Sequence, residues 1–198
     1  MDRFTEKILI ITAPSGAGKT SVTTHLIQQF AQLTFSISAT TRESRDNEVD
    51  GVDYYFMSLE EFKTRIQQNE FIEWEMVYEG KYYGTLKSEM ERIWKNQKVP
   101  VLDIDVKGAI HVQQQFPNKT LSIFIEPPSI GELQRRLQTR GTETKESLQA
   151  RINKAAYEIS FKNSFTHTIV NQNLETARRD ACEIVRNFLL PAVKTPES

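Results

Sequence analysis

The 198 residues predict an α/β fold: a parallel sheet flanked by helices, with a small mixed lobe inserted into it. Three observations carry that prediction. Short apolar runs alternate with helix-spaced apolar sets along most of the chain. One such run, Ile8-Leu9-Ile10-Ile11, enters a glycine-rich turn and leaves it as a helix. Over 51–83 the character changes to aromatic, β-prone stretches around a single helix.

Val22, Leu26 and Phe30 share one face of the first helix, expected over 19–32. The stretch 35–39 is short and extended, and it leads into a polar turn holding Arg42 and Arg45. Tyr54-Tyr55-Phe56 and Phe71-Ile72-Glu73-Trp74 read as strands around a helix over 59–69. Ser58-Leu59-Glu60-Glu61 opens that helix as a capping box, in which serine and glutamate satisfy backbone donors reciprocally.

Core pattern resumes with the strand Val99-Pro100-Val101-Leu102-Asp103-Ile104, which ends in acid. Leu121-Ser122-Ile123-Phe124-Ile125 is another strand, closed by Pro127-Pro128. Ser129 caps the next helix, which carries Leu133 and Leu137. The polar stretch 138–149, with Arg136, Arg140 and Arg151 around it and a helix restarting near Thr144, has two readings. It is a solvated connection, or a lid that closes positive charge over an anion. Thr168-Ile169-Val170 is a short last strand, before a helix with Ala181, Ile184, Val185 and Phe188 inward. The expected organisation is one domain over 1–198: a core of 1–36, 88–130 and 161–198, an inserted lobe of 37–87 and a lid of 131–160. Strands joined by helices gather binding residues at their carboxyl ends.

Composition narrows the function classes. With 25 basic and 26 acidic residues the formal charge is −1, so neither nucleic acid nor an anionic membrane is an expected partner. Cys182 stands alone, which excludes an intrachain disulfide and suits a reducing cytoplasm, the expected location. No stretch approaches the ~20 apolar residues of a membrane span, and the first residues lack a signal-peptide pattern. His25, His111 and His167 lie far apart without metal-ligand spacing.

Ala13-Pro14-Ser15-Gly16-Ala17-Gly18-Lys19-Thr20 sits between strand and helix, the context a phosphate-binding loop requires. Small residues let consecutive backbone N–H groups curl around an anion, and the helix adds its positive end. Lys19 then reaches the outer phosphates and the Thr20 hydroxyl helps hold Mg²⁺. Ala13 stands where the first glycine is usual, and alanine is still small. The competing reading, an ordinary strand-to-helix turn, leaves the lysine and hydroxyl without a reason.

The remaining blocks are Ser38-Ala39-Thr40-Thr41-Arg42-Glu43-Ser44-Arg45, Gly51-Val52-Asp53-Tyr54-Tyr55-Phe56, Phe71-Ile72-Glu73-Trp74 and Tyr82-Tyr83-Gly84-Thr85. Leu102-Asp103-Ile104-Asp105, Arg140-Gly141-Thr142-Glu143 and Val170-Asn171 complete them. In this order, with the phosphate loop, they resemble the guanylate kinase family over nearly the whole chain. The resemblance implies a P-loop NTPase-type core whose inserted lobe binds GMP, with ATP as co-substrate and Mg²⁺ as cofactor.

Arg42 and Arg45 match the arginines that grip the GMP phosphate, and Tyr54 and Tyr83 the phenols that donate to it. Glu73 matches the carboxylate facing guanine N1–H and N2–H, where adenine would present a lone pair instead. Ser38 and Thr85 match hydroxyls reading the base oxygen, with threonine where serine is usual, and Asp105 supports Glu73. Asp103 matches the acid that orders Mg²⁺ with Thr20. Lys19, Arg42, Arg136, Arg140 and Arg151 match the groups that neutralise the transferring phosphoryl. Asn171 matches the donor-base region, although Gln172 and Asn173 replace the acids that often follow.

The implied activity is in-line transfer of the ATP γ-phosphoryl to GMP, by a monomer or weak homo-oligomer. A kinase for AMP or a pyrimidine monophosphate is disfavoured by Glu73 and Asp105, as is a P-loop kinase for a non-nucleotide phosphate. A catalytically silent interaction module of the same family is disfavoured by the retained Lys19, Thr20 and arginines.

Overall fold

The computed structural model describes residues 6–139 and 145–190. The first half of the chain holds β1 (Ile8–Thr12), α1 (Lys19–Gln29), β2 (Leu33–Phe35), β3 (Ala39–Thr40), β4 (Tyr55–Phe56) and α2 (Leu59–Gln67). Then come β5 (Phe71–Tyr78), β6 (Lys81–Leu86), α3 (Lys87–Lys95), β7 (Val99–Asp103) and α4 (Val106–Gln115). The last third holds β8 (Thr120–Glu126), α5 (Ile130–Thr139), α6 (Lys145–Ile159), β9 (His167–Val170) and α7 (Leu174–Leu189).

Five strands form a parallel sheet in the order β2-β7-β1-β8-β9. β1 is central and fully buried, so both faces of its side-chain alternation are apolar. Leu9 and Ile11 pack with Val22 and Leu26 of α1 and Ala181 and Val185 of α7. Ile8 and Ile10 point the other way, into a cluster with Met90 of α3 and Ala109 and Val112 of α4. Helices therefore cover both faces, as the alternating pattern predicts. The carboxyl ends of β1 and β7 lie side by side, with Ile11 opposite Asp103.

The second sheet runs β4-β3-β6-β5, with β3 and β4 parallel and the other pairs antiparallel. It has its own small core of Ala39, Phe62, Phe71 and Leu86, in which the Phe62 and Phe71 rings stack 4.4 Å apart. The Ser58 hydroxyl accepts from Glu61 N–H at 3.1 Å and caps α2. Glu61 bonds Arg65 as well, an exposed i,i+4 pair. β5 extends four residues past Trp74 because it pairs with β6 around a turn at Gly80, whose φ is 70°.

Other boundaries differ from the sequence reading by a few residues. α1 stops at Gln29, since Phe30 is already extended at φ −124° and ψ 101° and leads into β2. Ser129 caps α5 as expected, its hydroxyl accepting from Glu132 N–H at 3.1 Å. Among the described residues no helix is long and apolar enough to cross a membrane.

Candidate active site

The loop after β1 holds two glycines in the left-handed region, Gly16 at φ 90° and Gly18 at φ 101°. Gly18 is also the N-cap of α1, and a Cβ there would strike the side chain of Asn171. Asn171 is 3% exposed, and its amide donates to Ala17 O at 2.7 Å. Asn171 thus ties the phosphate loop to the end of β9. α1 has no side-chain cap and no acid in its first turn, which leaves its positive end available to an anion.

A cavity of about 540 Å³ opens at this loop, lined by Ala13 to Gly16 and Gly18 to Thr20. Glu73 and Tyr83 line it from the second sheet, Ser38 and Tyr54 from the residues just before β3 and β4, Asp103 from the end of β7 and Asp105 from the start of α4. Arg151, Lys154 and Glu158 reach it from α6. Lys19 is ion-paired with Asp103, so the lysine is held inside the cavity by a carboxylate where phosphates would compete for it. Burial raises the Glu158 carboxyl, against the opposing charges of Lys154 and Lys19.

Glu73, also in the cavity lining, is buried, and the Thr85 hydroxyl donates to its Oε1 at 2.7 Å. Burial pushes Glu73 up to about 7; the Thr85 bond opposes this and the charge of Asp105 adds to it. The carboxylate packs so closely on α4 that a Cβ at Gly108 would lie 2.8 Å from its Oε2. Asp105 lines the cavity while its Oδ1 accepts from Gly108 N–H at 2.8 Å, capping α4. Thr85 itself is buried and lies outside the cavity lining, so in this geometry it orients Glu73.

Arg42 and Arg45 are outside that lining too. The Arg42 guanidinium forks onto both oxygens of Glu48 at 2.6 Å and lies over the Tyr54 ring, 4.8 Å from its centroid. That fork holds the Glu48 carboxyl down at about 2, helped by the Arg45 backbone N–H. Tyr54 and Tyr83 meet edge to face, 6.1 Å between centroids. Arg42 therefore stands beside the cavity, its fork already shaped around an oxyanion.

From α6, Arg151 donates to Ser15 Oγ of the phosphate loop at 3.2 Å. Arg136 donates to Asn171 O at 3.0 Å and to Glu132 at 2.8 Å, so here it braces the loop's anchor. Arg140 lies outside the described residues. Asn173, which stands where an acid often follows the donor-base region, caps α7 by accepting from Glu175 and Thr176 N–H.

Sequence reasoning missed Glu48, Lys154 and Glu158. The last two had a signal: with Arg151 they fall at i, i+3 and i+7, one face of α6. Glu48 had none, because its partnership forms across an irregular loop.

Thr20 and Asp103 suit Mg²⁺. The ion keeps several waters and takes one or two protein oxygens plus substrate phosphates. A hydroxyl and a carboxylate lining one cavity beside a phosphate loop form such a set. Among the described residues there is no group of three or more acidic, histidine or cysteine side chains that would hold a metal by itself.

Comparisons with known proteins give the family. The guanylate kinase family profile matches residues 5–189. A guanylate kinase of Bacteroides fragilis is 45% identical over 183 residues, 92% of this chain and 90% of its own. One from Porphyromonas gingivalis is 46% identical, over 92% of this chain and 98% of its own. The crystal structure of guanylate kinase from Anaplasma phagocytophilum superimposes with a TM-score of 0.74 at 31% identity, covering 94% of this chain and 87% of that one. A phosphate loop and a buried carboxylate line one cavity, in a chain matched by the family over residues 5–189: the chain belongs to the guanylate kinase family.

Proposed function

We propose that the protein catalyses ATP:GMP phosphotransfer, passing the ATP γ-phosphoryl in line to a GMP phosphate oxygen and releasing ADP and GDP. One observation carries the reading: Glu73 and the phosphate loop line the same cavity. A buried acceptor-only carboxylate matches the two N–H donors of the guanine edge, and the loop amides match the donor phosphates.

The attacking oxygen belongs to the acceptor phosphate, ionised near neutrality, so no side chain acts as nucleophile or general base. The side chains position two anions and neutralise their charge. Lys19 exchanges Asp103 for the donor's outer phosphates. Arg42 exchanges Glu48 for the acceptor phosphate, with Tyr54 and Tyr83 donating beside it and Arg45 supporting the grip. Ser38 and Asp105 hold the base end with Glu73, and Thr85 aims that carboxylate. Arg136, Arg140 and Arg151 close over the transferring group, and closure excludes water that would hydrolyse ATP. Thr20 and Asp103 would hold Mg²⁺, which when bound would supply positive charge to the donor phosphates. Asn171 acts from behind the loop.

The reading extends to the setting. The working unit in this reading is a monomer or weak homo-oligomer. Phosphotransfer among nucleotides, with a lone Cys182, supports a cytoplasmic location.

A coupled assay of ADP formation, with ATP, Mg²⁺ and each monophosphate in turn, tests the function. GMP should drive turnover, with AMP poorer by about 10⁴-fold in kcat/KM, as expected when a polar edge meets the wrong partner. Comparable turnover with AMP, or none with GMP, would overturn it.

A further inference from the structure

Glu89, in the first turn of α3, has no role in the chemistry above, yet it is a buried carboxylate with four donors. Its side chain is 0% exposed. Oε1 accepts from Ile37 N–H at 3.0 Å and from Arg92 at 2.8 Å. Oε2 accepts from the Tyr55 hydroxyl at 2.9 Å and from Arg92 at 2.8 Å. Each oxygen is thus shared between its own helix and the segment feeding the second sheet.

The positions of these donors matter. Ile37 lies where the chain crosses from β2 to β3, and Glu89 lies just after it returns from β6. α3 is fixed to the parallel sheet through Met90, which packs with Ile10 and Leu102. Ile37 precedes Ser38, and Tyr55 follows Tyr54; Ser38 and Tyr54 both line the cavity. Tyr55 N–H also donates to Ser38 O at 2.9 Å, so the two segments move as a unit. Buried in a poorly polarisable site, a carboxylate with four donors is held to one geometry.

We propose that Glu89 is a positioning residue for the acceptor end of the cavity. By bridging both crossings it sets where Ser38 and Tyr54 stand relative to the phosphate loop. Burial alone would raise its carboxyl, but the bonds from Arg92, Ile37 and Tyr55 outweigh burial and lower it, so the bridge stays ionised. The inference rests on the acceptor reading for its kinetic consequence, whereas the geometric part stands without substrate.

Tyr55→Phe removes one bond of the bridge and keeps the ring; Glu89→Gln perturbs all of them. Each variant should raise KM for GMP, Tyr55→Phe by roughly three- to tenfold and Glu89→Gln by more, with KM for ATP within about twofold. Amide exchange measured without ligand should speed up at Ile37, Ser38 and Tyr55 and stay unchanged in β1, β7 and β8. The double variant should match Glu89→Gln, since both act through one contact. Equal rises in both Michaelis constants, or exchange that increases evenly across both sheets, would overturn the proposal and make Glu89 a stabilising residue only. Wild-type protein inactive on GMP would sink the acceptor reading, and the exchange data would still decide this one.

Discussion

Glu73 carries a conflict between stability and use. Its carboxyl sits near 7 in the folded protein because burial penalises the charge, against 4.5 when solvated. Between those values the folded chain holds a proton that the unfolded chain has lost. Stability is therefore greatest below the lower value and falls as pH rises through the upper one. At pH 8 the buried charge costs about 3 kcal/mol. In the proposed function, guanine needs that ionised form. Glu73→Gln should consequently raise the melting temperature at pH 8 by several degrees while raising KM for GMP at least 100-fold. In the unaltered protein, KM for GMP should climb towards tenfold per unit as pH falls below 7. The acceptor phosphate also loses charge near pH 6, so the part of the profile that flattens in Glu73→Gln belongs to this carboxyl. A lower melting temperature with an unaltered pH profile would contradict the assignment.

Elements show why parts of the site were legible and others were not. The phosphate loop could be read because its glycines, lysine and hydroxyl sit between a fully apolar strand and a helix. Lys19, Ser38, Tyr54, Glu73, Tyr83, Asp103, Asp105 and Arg151, all named from the sequence, line one cavity. β6, α3 and α4 were not predicted. β6 contains Gly84, where a Cβ would lie 2.8 Å from Glu73 O, and α4 contains Gly108, held open for the Glu73 carboxylate. Both glycines weaken local propensity where β5 or its Glu73 side chain packs closely, a conflict that only tertiary structure explains. α3 begins directly after β6 with no side-chain cap, so nothing in the sequence punctuates it. Thr85 and Asn171 turned inward because each satisfies a buried partner. On α6, Arg151 is the cation reaching the phosphate loop. Arg151→Ala should lower kcat on the order of 10²- to 10³-fold with little change in melting temperature, as when a charge serving the transition state is lost. A rise in KM alone would place its role in ground-state binding.

At the scale of the molecule, two sheets built by different rules face one cavity. The parallel sheet brings the phosphate loop and Asp103 together at adjacent strand ends. The mixed sheet carries Glu73 and the tyrosines, and its outer face exposes Trp74 and Met76. Asp103 and Glu48 pair with Lys19 and Arg42, so in the proposed function loading substrates would exchange these carboxylates for phosphates. The most direct test is a crystal structure with GMP and a non-hydrolysable ATP analogue. The account predicts guanine N1 and N2 against Glu73, Arg42 transferred from Glu48 to the acceptor phosphate, and reacting atoms about 3–3.5 Å apart. Guanine bound away from Glu73, or an acceptor phosphate remote from the end of the triphosphate, would contradict it.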